Sequence, residues 1–235
     1  MSDRQLLPVE ELKEKLSEPA IEVRYLLSKG YARKSAITFV SNHHRLTGQE
    51  RHILARLVFS PETAEIRIKK KLSCSQLEGC DIFVDGYNVL ITIESALKNE
   101  PIWFADDGFL RDISGVFGNH RITDTTCMAV DEMLSTLSAL KVRSSTILLD
   151  SQMSNSEKLA KFICEKAKTK RLKADARTSK HVDFDLKEAG AHAVIATADS
   201  VIVDAVDKVA DVTECWMKEN RKIGKPFSLN AHVRE

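Results

Sequence analysis

Four short apolar runs in this chain end on, or just before, an aspartate. Asp85 closes Asp81-Ile-Phe-Val, and Asp106 and Asp107 follow Ile102-Trp-Phe-Ala. Asp150 closes Ser145-Thr-Ile-Leu-Leu, and Asp199 follows Ala193-Val-Ile-Ala-Thr-Ala. A single acid in such a place ordinarily caps a helix or fills a turn. Four at one sheet edge would converge carboxylates in one crevice, where unpaired charges repel and a divalent cation resolves the conflict. With only oxygen ligands on offer, the expected ion is Mg²⁺ or Mn²⁺. A metal held this way activates water and steadies charge on phosphoryl oxygens, which is the chemistry of phosphodiester hydrolysis.

The elements that must position these acids fall into two parts. Residues 1–77 read as helices. One opens at Pro8-Val9-Glu10-Glu11-Leu12, and another spans Tyr31 to His44. A third is capped by Thr47 with Glu50 three positions on, and a short one starts at Pro61. From 78 onward, apolar runs of strand length alternate with helical patterns. A long helix follows Thr123 or Asp124, another spans Asn155 to Lys168, and Val212 to Trp216 reads as a last strand. Such alternation implies a parallel sheet covered by helices, with ligands bound beyond the carboxyl ends of its strands. The expected organisation is therefore a small all-helical domain, 1–77, followed by an α/β domain, 78–235.

Three segments in order carry a resemblance. Asp85-Gly86-Tyr87-Asn88-Val89-Leu90 resembles the opening motif of NYN-type, PIN-like ribonucleases. Lys180-His181-Val182-Asp183 is similar to the Lys-x-Val-Asp these domains place before a helix, and Ala196-Thr197-Ala198-Asp199-Ser200 to their late strand end. The resemblance spans roughly residues 78–212 and implies a PIN-like three-layer parallel-sheet fold and metal-dependent nuclease activity. It implies Asp85, Asp183 and Asp199 as metal ligands, with Asn88 orienting the first carboxylate or touching a phosphate. Asp150 and Asp183 would complete a cluster whose shared ligands are Asp85 and Asp199. Asp183 has a rival role as a helix cap, and Ser200 reads most simply as one.

The chain also departs from that pattern. The stretches Asp106–Asp112 and Leu149–Asn155 are unusual for the group, and Ser200-Val201 stands where a second acid often follows. Asp107 and Asp112 are second-tier metal ligands. Arg111 would either clamp a phosphate or pair with Asp107 or Asp112. Ser154 and Asn155 begin a helix whose amino end could hold a phosphate. The helical part, with Gly30-Tyr31-Ala32-Arg33-Lys34-Ser35-Ala36, is similar to an uncharacterised prokaryotic domain found joined to PIN-like domains.

Charge is uneven. The chain carries a net +1, yet Arg24 to Lys71 holds 11 basic residues against Glu50, Glu62 and Glu65. Arg33, Lys34, Arg45 and Arg51 are the expected phosphate contacts, and the competing reading is an ordinary solvated helical surface. His43 and His44, being adjacent, would point to different helix faces and extend that basic surface rather than form an acid–base pair.

At 235 residues, 43% hydrophobic and 29% charged, the composition is that of an ordinary globular chain. No apolar run approaches membrane-spanning length and no secretory signal is expected. The five cysteines lack disulfide-framework or zinc spacing, so free thiols and a reducing, cytoplasmic setting are expected. Phosphate-loop and serine-hydrolase motifs are absent. The leading expectation is a Mg²⁺- or Mn²⁺-dependent nuclease acting on RNA, gripped by the basic helices, with a homo-oligomer left open. The alternatives are a non-catalytic nucleic-acid-binding protein and, third, a small-molecule phosphohydrolase.

Overall fold

A computed structural model describes residues 8–113, 122–220 and 224–230; the first residues, on which the signal-peptide expectation rests, lie outside these. Contacts divide the chain into two units. One comprises Met1–Ile68, Pro101–Ile113 and Pro226–Glu235, and the other Lys69–Glu100 and Ser114–Lys225. The expected division at 77/78 therefore differs in two respects: the helical unit is discontinuous, and the α/β unit begins earlier.

The helical unit holds α1 (Val9–Ser28), α2 (Arg33–His43), α3 (Gly48–Leu57) and most of α4 (Pro61–Lys70). The start of α3 follows from its first residues. The Glu50 amide donates to the Thr47 hydroxyl, and the Thr47 amide donates to the Glu50 carboxylate at 2.8 Å. Leu12, Leu16, Val40, Ile53, Leu54 and Leu57 pack into one core with Trp103 and Ile113 from the second segment and Leu229 from the third.

Within the α/β unit, β1 (Lys71–Leu72) and β2 (Asp81–Asp85) precede α5 (Gly86–Leu97). The chain then contributes β3 (Ile102–Phe104) and β4 (Leu110–Asp112) to the helical unit. It returns through α6 (Asp124–Ala139), β5 (Ser144–Asp150), α7 (Ser156–Thr169) and β6 (Ala174–Ser179). It continues with α8 (Val182–Ala189), β7 (Val194–Ala196), α9 (Ser200–Ala205), β8 (Val209–Ala210) and α10 (Val212–Glu219), and β9 (Phe227–Ser228) belongs again to the helical unit.

The α/β unit is built on a six-stranded parallel sheet in the order β1-β8-β7-β2-β5-β6. Ile147, Leu148 and Leu149 are fully buried, as a strand covered on both faces requires. Helices α5, α6 and α10 pack on one another, and α8 packs on α9 and on the sheet. This is an α/β arrangement compatible with three layers.

Three expectations are corrected. The run Ile102–Asp106 is not a strand of the parallel sheet. Asp107-Gly108 turns the chain back, with Gly108 at φ +75°, and β3 pairs antiparallel with β4 and parallel with β9 in a separate three-stranded sheet. Residues 212–216 are helical because the Asp211 carboxylate accepts from the Glu214 amide at 2.9 Å and starts α10; the strand lies just before, at Val209–Ala210. Cys74 and Cys215, expected free, form a disulfide across 141 residues of sequence. Cys80, Cys127 and Cys164 are free. No helix among the described residues is long and apolar enough to cross a membrane.

Candidate active site

The sheet order makes the site. From β2 the chain adds β5 and β6 on one side, then returns to place β7 and β8 on the other. The winding direction reverses between β2 and β7, the place where sheets of this kind bind ligands beyond their strand ends. Asp85 is the last residue of β2. Thr197, Ala198 and Asp199 leave β7 beside it.

Short hydrogen bonds lock these two strand ends. The Thr197 hydroxyl donates to the Asp85 carboxylate at 2.9 Å and accepts from the Asp199 amide at 3.0 Å. The Asn88 amide donates to the other Asp85 oxygen at 3.4 Å, while the Asn88 side-chain carbonyl accepts from the Ala198 amide at 2.8 Å. Asn88 thus spans from α5 to the end of β7. Its main-chain amide reaches the Asp85 carboxylate and its side chain holds the Ala198 amide, so Asn88 positions both acidic strand ends. Gly86 lets α5 leave directly over β5: a Cβ there would lie 2.8 Å from the Leu148 carbonyl and 2.6 Å from a Leu149 methyl.

Asp85 sits under strain of charge. Burial pushes its carboxyl up to about 6, the Thr197 and Asn88 hydrogen bonds oppose this, and the facing charges of Asp199 and then Asp183 raise it further. Two of the acids named by the resemblance thus bear on the third, Asp85. Asp183 occupies the first turn of α8 and is exposed, as is Asp199. The helix cap after β7 is Asp199 itself, which accepts from the Val201 and Ile202 amides at 2.8 and 3.3 Å; this corrects the assignment of the cap to Ser200.

Asp150 ends β5, one strand beyond Asp85, and accepts from the Gln152 amide at 2.8 Å. Its charge acts on Tyr87, whose hydroxyl lies 3.0 Å from Ser156 at the start of α7. Ser154 is exposed in the connecting loop, and Asn155 before α7 adopts φ +63°.

The remaining candidates belong to the helical unit. Asp107, Arg111 and Asp112 are 0%, 3% and 2% exposed, buried in that unit's own ion pairs. Arg111 grips Asp107 through two bonds of 2.7 and 2.8 Å, and Arg67 adds a third at 2.8 Å. Burial alone would push the Asp107 carboxyl up, but Arg111 and then Arg67 hold it below the usual range. Arg24 binds Asp106 through two bonds of 2.8 Å, and Arg56 donates to the Asp112 carbonyl at 2.9 Å. Asp107 and Asp112 are therefore structural counter-charges, not metal ligands, and Arg111 takes the ion-pair role rather than the phosphate clamp.

Arg33 is also partly structural, donating to the carbonyls of Ala55 and Val58 and lying 4.4 Å from the Phe59 ring centre. It shares a cleft of about 490 Å³ with Lys34, Ile37, Gly48, Arg51, His52 and Ala55. Arg51 donates to the Asn42 side chain at 2.8 Å, and Arg45 is exposed just past α2 with φ +52°. The cleft thus gathers three of the four basic residues singled out from sequence. Thr197 is the site residue that sequence reasoning passed over. Its signal was a threonine two places before an acid at a strand end, where a hydroxyl can bond the following amide.

Comparison with known proteins agrees on extent. Residues 74–215 match the family described as a domain of unknown function, DUF5616. Residues 15–70 match the protein of unknown function DUF434. An uncharacterised protein of Methanocaldococcus jannaschii, MJ0935, is 31% identical over 204 residues, covering 84% of this chain and 96% of its own. No solved structure matches.

Proposed function

The chain belongs to the DUF5616 family, and from that premise and its acidic crevice we propose that it is a metal-dependent phosphodiesterase acting on RNA, with a PIN-like site. What supports this reading is Asp85 at the end of β2, tied through the Thr197 hydroxyl to the loop that carries Asp199, with the charges of Asp199 and Asp183 bearing on it at the reversal of the sheet. A donor set made only of carboxylate oxygens fits a hard divalent cation, Mg²⁺ or Mn²⁺.

Asp85, Asp183 and Asp199 would hold the ion, with Asp150 at the next strand end. When bound, the ion supplies an activated water and charge stabilisation at a phosphoryl group. The rest is work for the chain. Thr197 fixes the Asp85 carboxylate by its hydroxyl and the Asp199 loop by the amide it accepts from. Asn88 ties the same loop to α5, so neither acid needs to reorganise as charge develops. Gly86 lets α5 start against β5 directly after Asp85.

The test is loss of a labelled mixed-sequence RNA in Mn²⁺ or Mg²⁺, with and without chelator. Asp85→Asn and Asp199→Asn are each expected to abolish metal-dependent loss while the circular dichroism stays that of the wild type. Intact RNA in both metals, or equal cleavage by both variants, would end this reading.

A second reading, binding without cleavage, is favoured by the cleft that gathers Arg33, Lys34 and Arg51. Lys34→Glu with Arg51→Glu should then abolish RNA binding, which Asp85→Asn leaves unchanged. A small phosphate ester tried in the same assay tests the phosphohydrolase alternative.

A further inference from the structure

The helical unit brings two imidazoles and a carboxylate together outside the acidic crevice. His43 is the last residue of α2. His44 is its cap, at φ −83° and ψ 4°, and the next residue, Arg45, turns the chain into the left-handed region. His44 keeps near-helical backbone angles, yet the two rings come together rather than diverge. The centroids are 4.9 Å apart with the planes at 86°. Glu22 reaches them from α1, its Oε2 3.0 Å from His44 Nε2. One donor atom from each of Glu22, His43 and His44 lies within 4.8 Å of the other two.

We propose that Glu22, His43 and His44 form a binding site for a divalent transition-metal ion, zinc by its donor chemistry. Two imidazoles and one carboxylate are borderline donors that suit zinc better than magnesium or calcium. An ion about 2.1 Å from each donor needs donors roughly 3–3.5 Å apart. The Glu22–His44 pair already meets this. His43, exposed at the helix end, has the freedom to close the rest. The setting favours a cation, because the C-terminal, negative end of the α2 dipole lies at the turn that carries both histidines. The His44–Glu22 hydrogen bond and the edge-to-face packing of the two rings hold the three donors close together before any ion binds. Three protein ligands leave room for water or a further ligand on the ion.

The test uses the full chain, free of any affinity tag, with its Cys74–Cys215 disulfide intact and stripped with chelator. Zinc alone is titrated in against a competing indicator, and cobalt is then substituted to record its visible ligand-field spectrum. Wild type is expected to bind one equivalent that His43→Ala with His44→Ala loses. Glu22→Gln, which keeps the packing of α1, should bind at least tenfold more weakly. Asp85→Asn with Asp199→Asn should bind as wild type, separating this site from the acidic crevice. X-ray absorption should show nitrogen and oxygen ligands. Equal binding by the double-histidine variant, or sulfur ligation from Cys80, Cys127 or Cys164, would overturn the assignment. His43→Ala alone, at an exposed position, keeps the test valid if the double variant unfolds.

Discussion

At the residue scale, Asp85 makes a metal-free protein pay for its site. Its folded carboxyl titrates at about 6, above the ordinary value of 3.8. The sign follows from that rise: Asp85 favours the folded state most below pH 4, and this contribution is lost as pH climbs toward 6. Above that, holding the charge costs on the order of 2–3 kcal/mol. Asp85→Asn should therefore raise the Tm of the metal-free protein at pH 7–8 and leave it nearly unchanged at pH 4. The substitution keeps an oxygen for the Asn88 amide, so thermal unfolding across pH isolates the charge. Thr197 makes the complementary prediction. Thr197→Val keeps the shape but removes the hydroxyl between Asp85 and Asp199. Metal-dependent RNA cleavage should fall roughly 10- to 100-fold, the usual effect of losing a partner that orients a metal ligand, while the Tm moves little. These positions also show how far sequence carries. Asp85 and Asp199 could be put at one edge because strand ends in a parallel sheet share it, whereas Asp183, in the first turn of α8, came from the resemblance alone. Thr197 was not, because a hydroxyl's partner on another strand depends on register.

At the element scale, the hairpin formed by β3 and β4 explains the basic bias of the helices. Arg24, Arg56 and Arg67 meet Asp106, Asp112 and Asp107, which lie well beyond the basic segment in sequence. Three guanidinium groups, from Arg33, Arg67 and Arg111, also lie 4.3–5.2 Å from the centre of the Phe59 ring. Much of the positive charge is thus internal counter-charge. Asp107→Ala would leave Arg67 and Arg111 facing each other in the core and should destabilise the helical unit by about 3–5 kcal/mol. Because the Asp107 carboxyl is held below its ordinary value, its contribution is present above pH 4 and is lost as pH falls through the lowered value. Acid unfolding of wild type and variant should converge at low pH, which a urea series checks. Asp107-Gly108 was in plain sight as a hairpin turn. It was outweighed by an apolar run ending in acid, the same form as the true sheet strands. The edge strand β6, Ala174–Ser179, was missed for a related reason: its exposed Asp175 and Arg177 suit a sheet edge and hide the strand pattern.

At the scale of the whole molecule, the α/β class and its parallel sheet were legible from the alternation of runs, but the boundaries were not. A cut at 77/78 follows a change in composition, whereas the helical unit is completed by residues 101–113 and 226–235. Its core needs Trp103, Ile113 and Leu229, and its arginines need the three aspartates. A fragment of residues 1–77 is therefore expected to lack a cooperative thermal transition and dispersed amide resonances. A well-folded fragment would show that the later segments are dispensable.

The pairing of β9 with β3 bears on the order in which the protein is made. Phe227 and Ser228 lie beside Trp103 and Phe104, so the helices that leave the ribosome first are the last to be finished. Every strand of the six-stranded sheet has been synthesised by Ala210. At about 5–20 residues per second, α1 waits about ten seconds or more for this closing strand. For that interval the nascent chain presents the apolar surface that Leu229 will later cover, which makes the helical segment the one most in need of a chaperone.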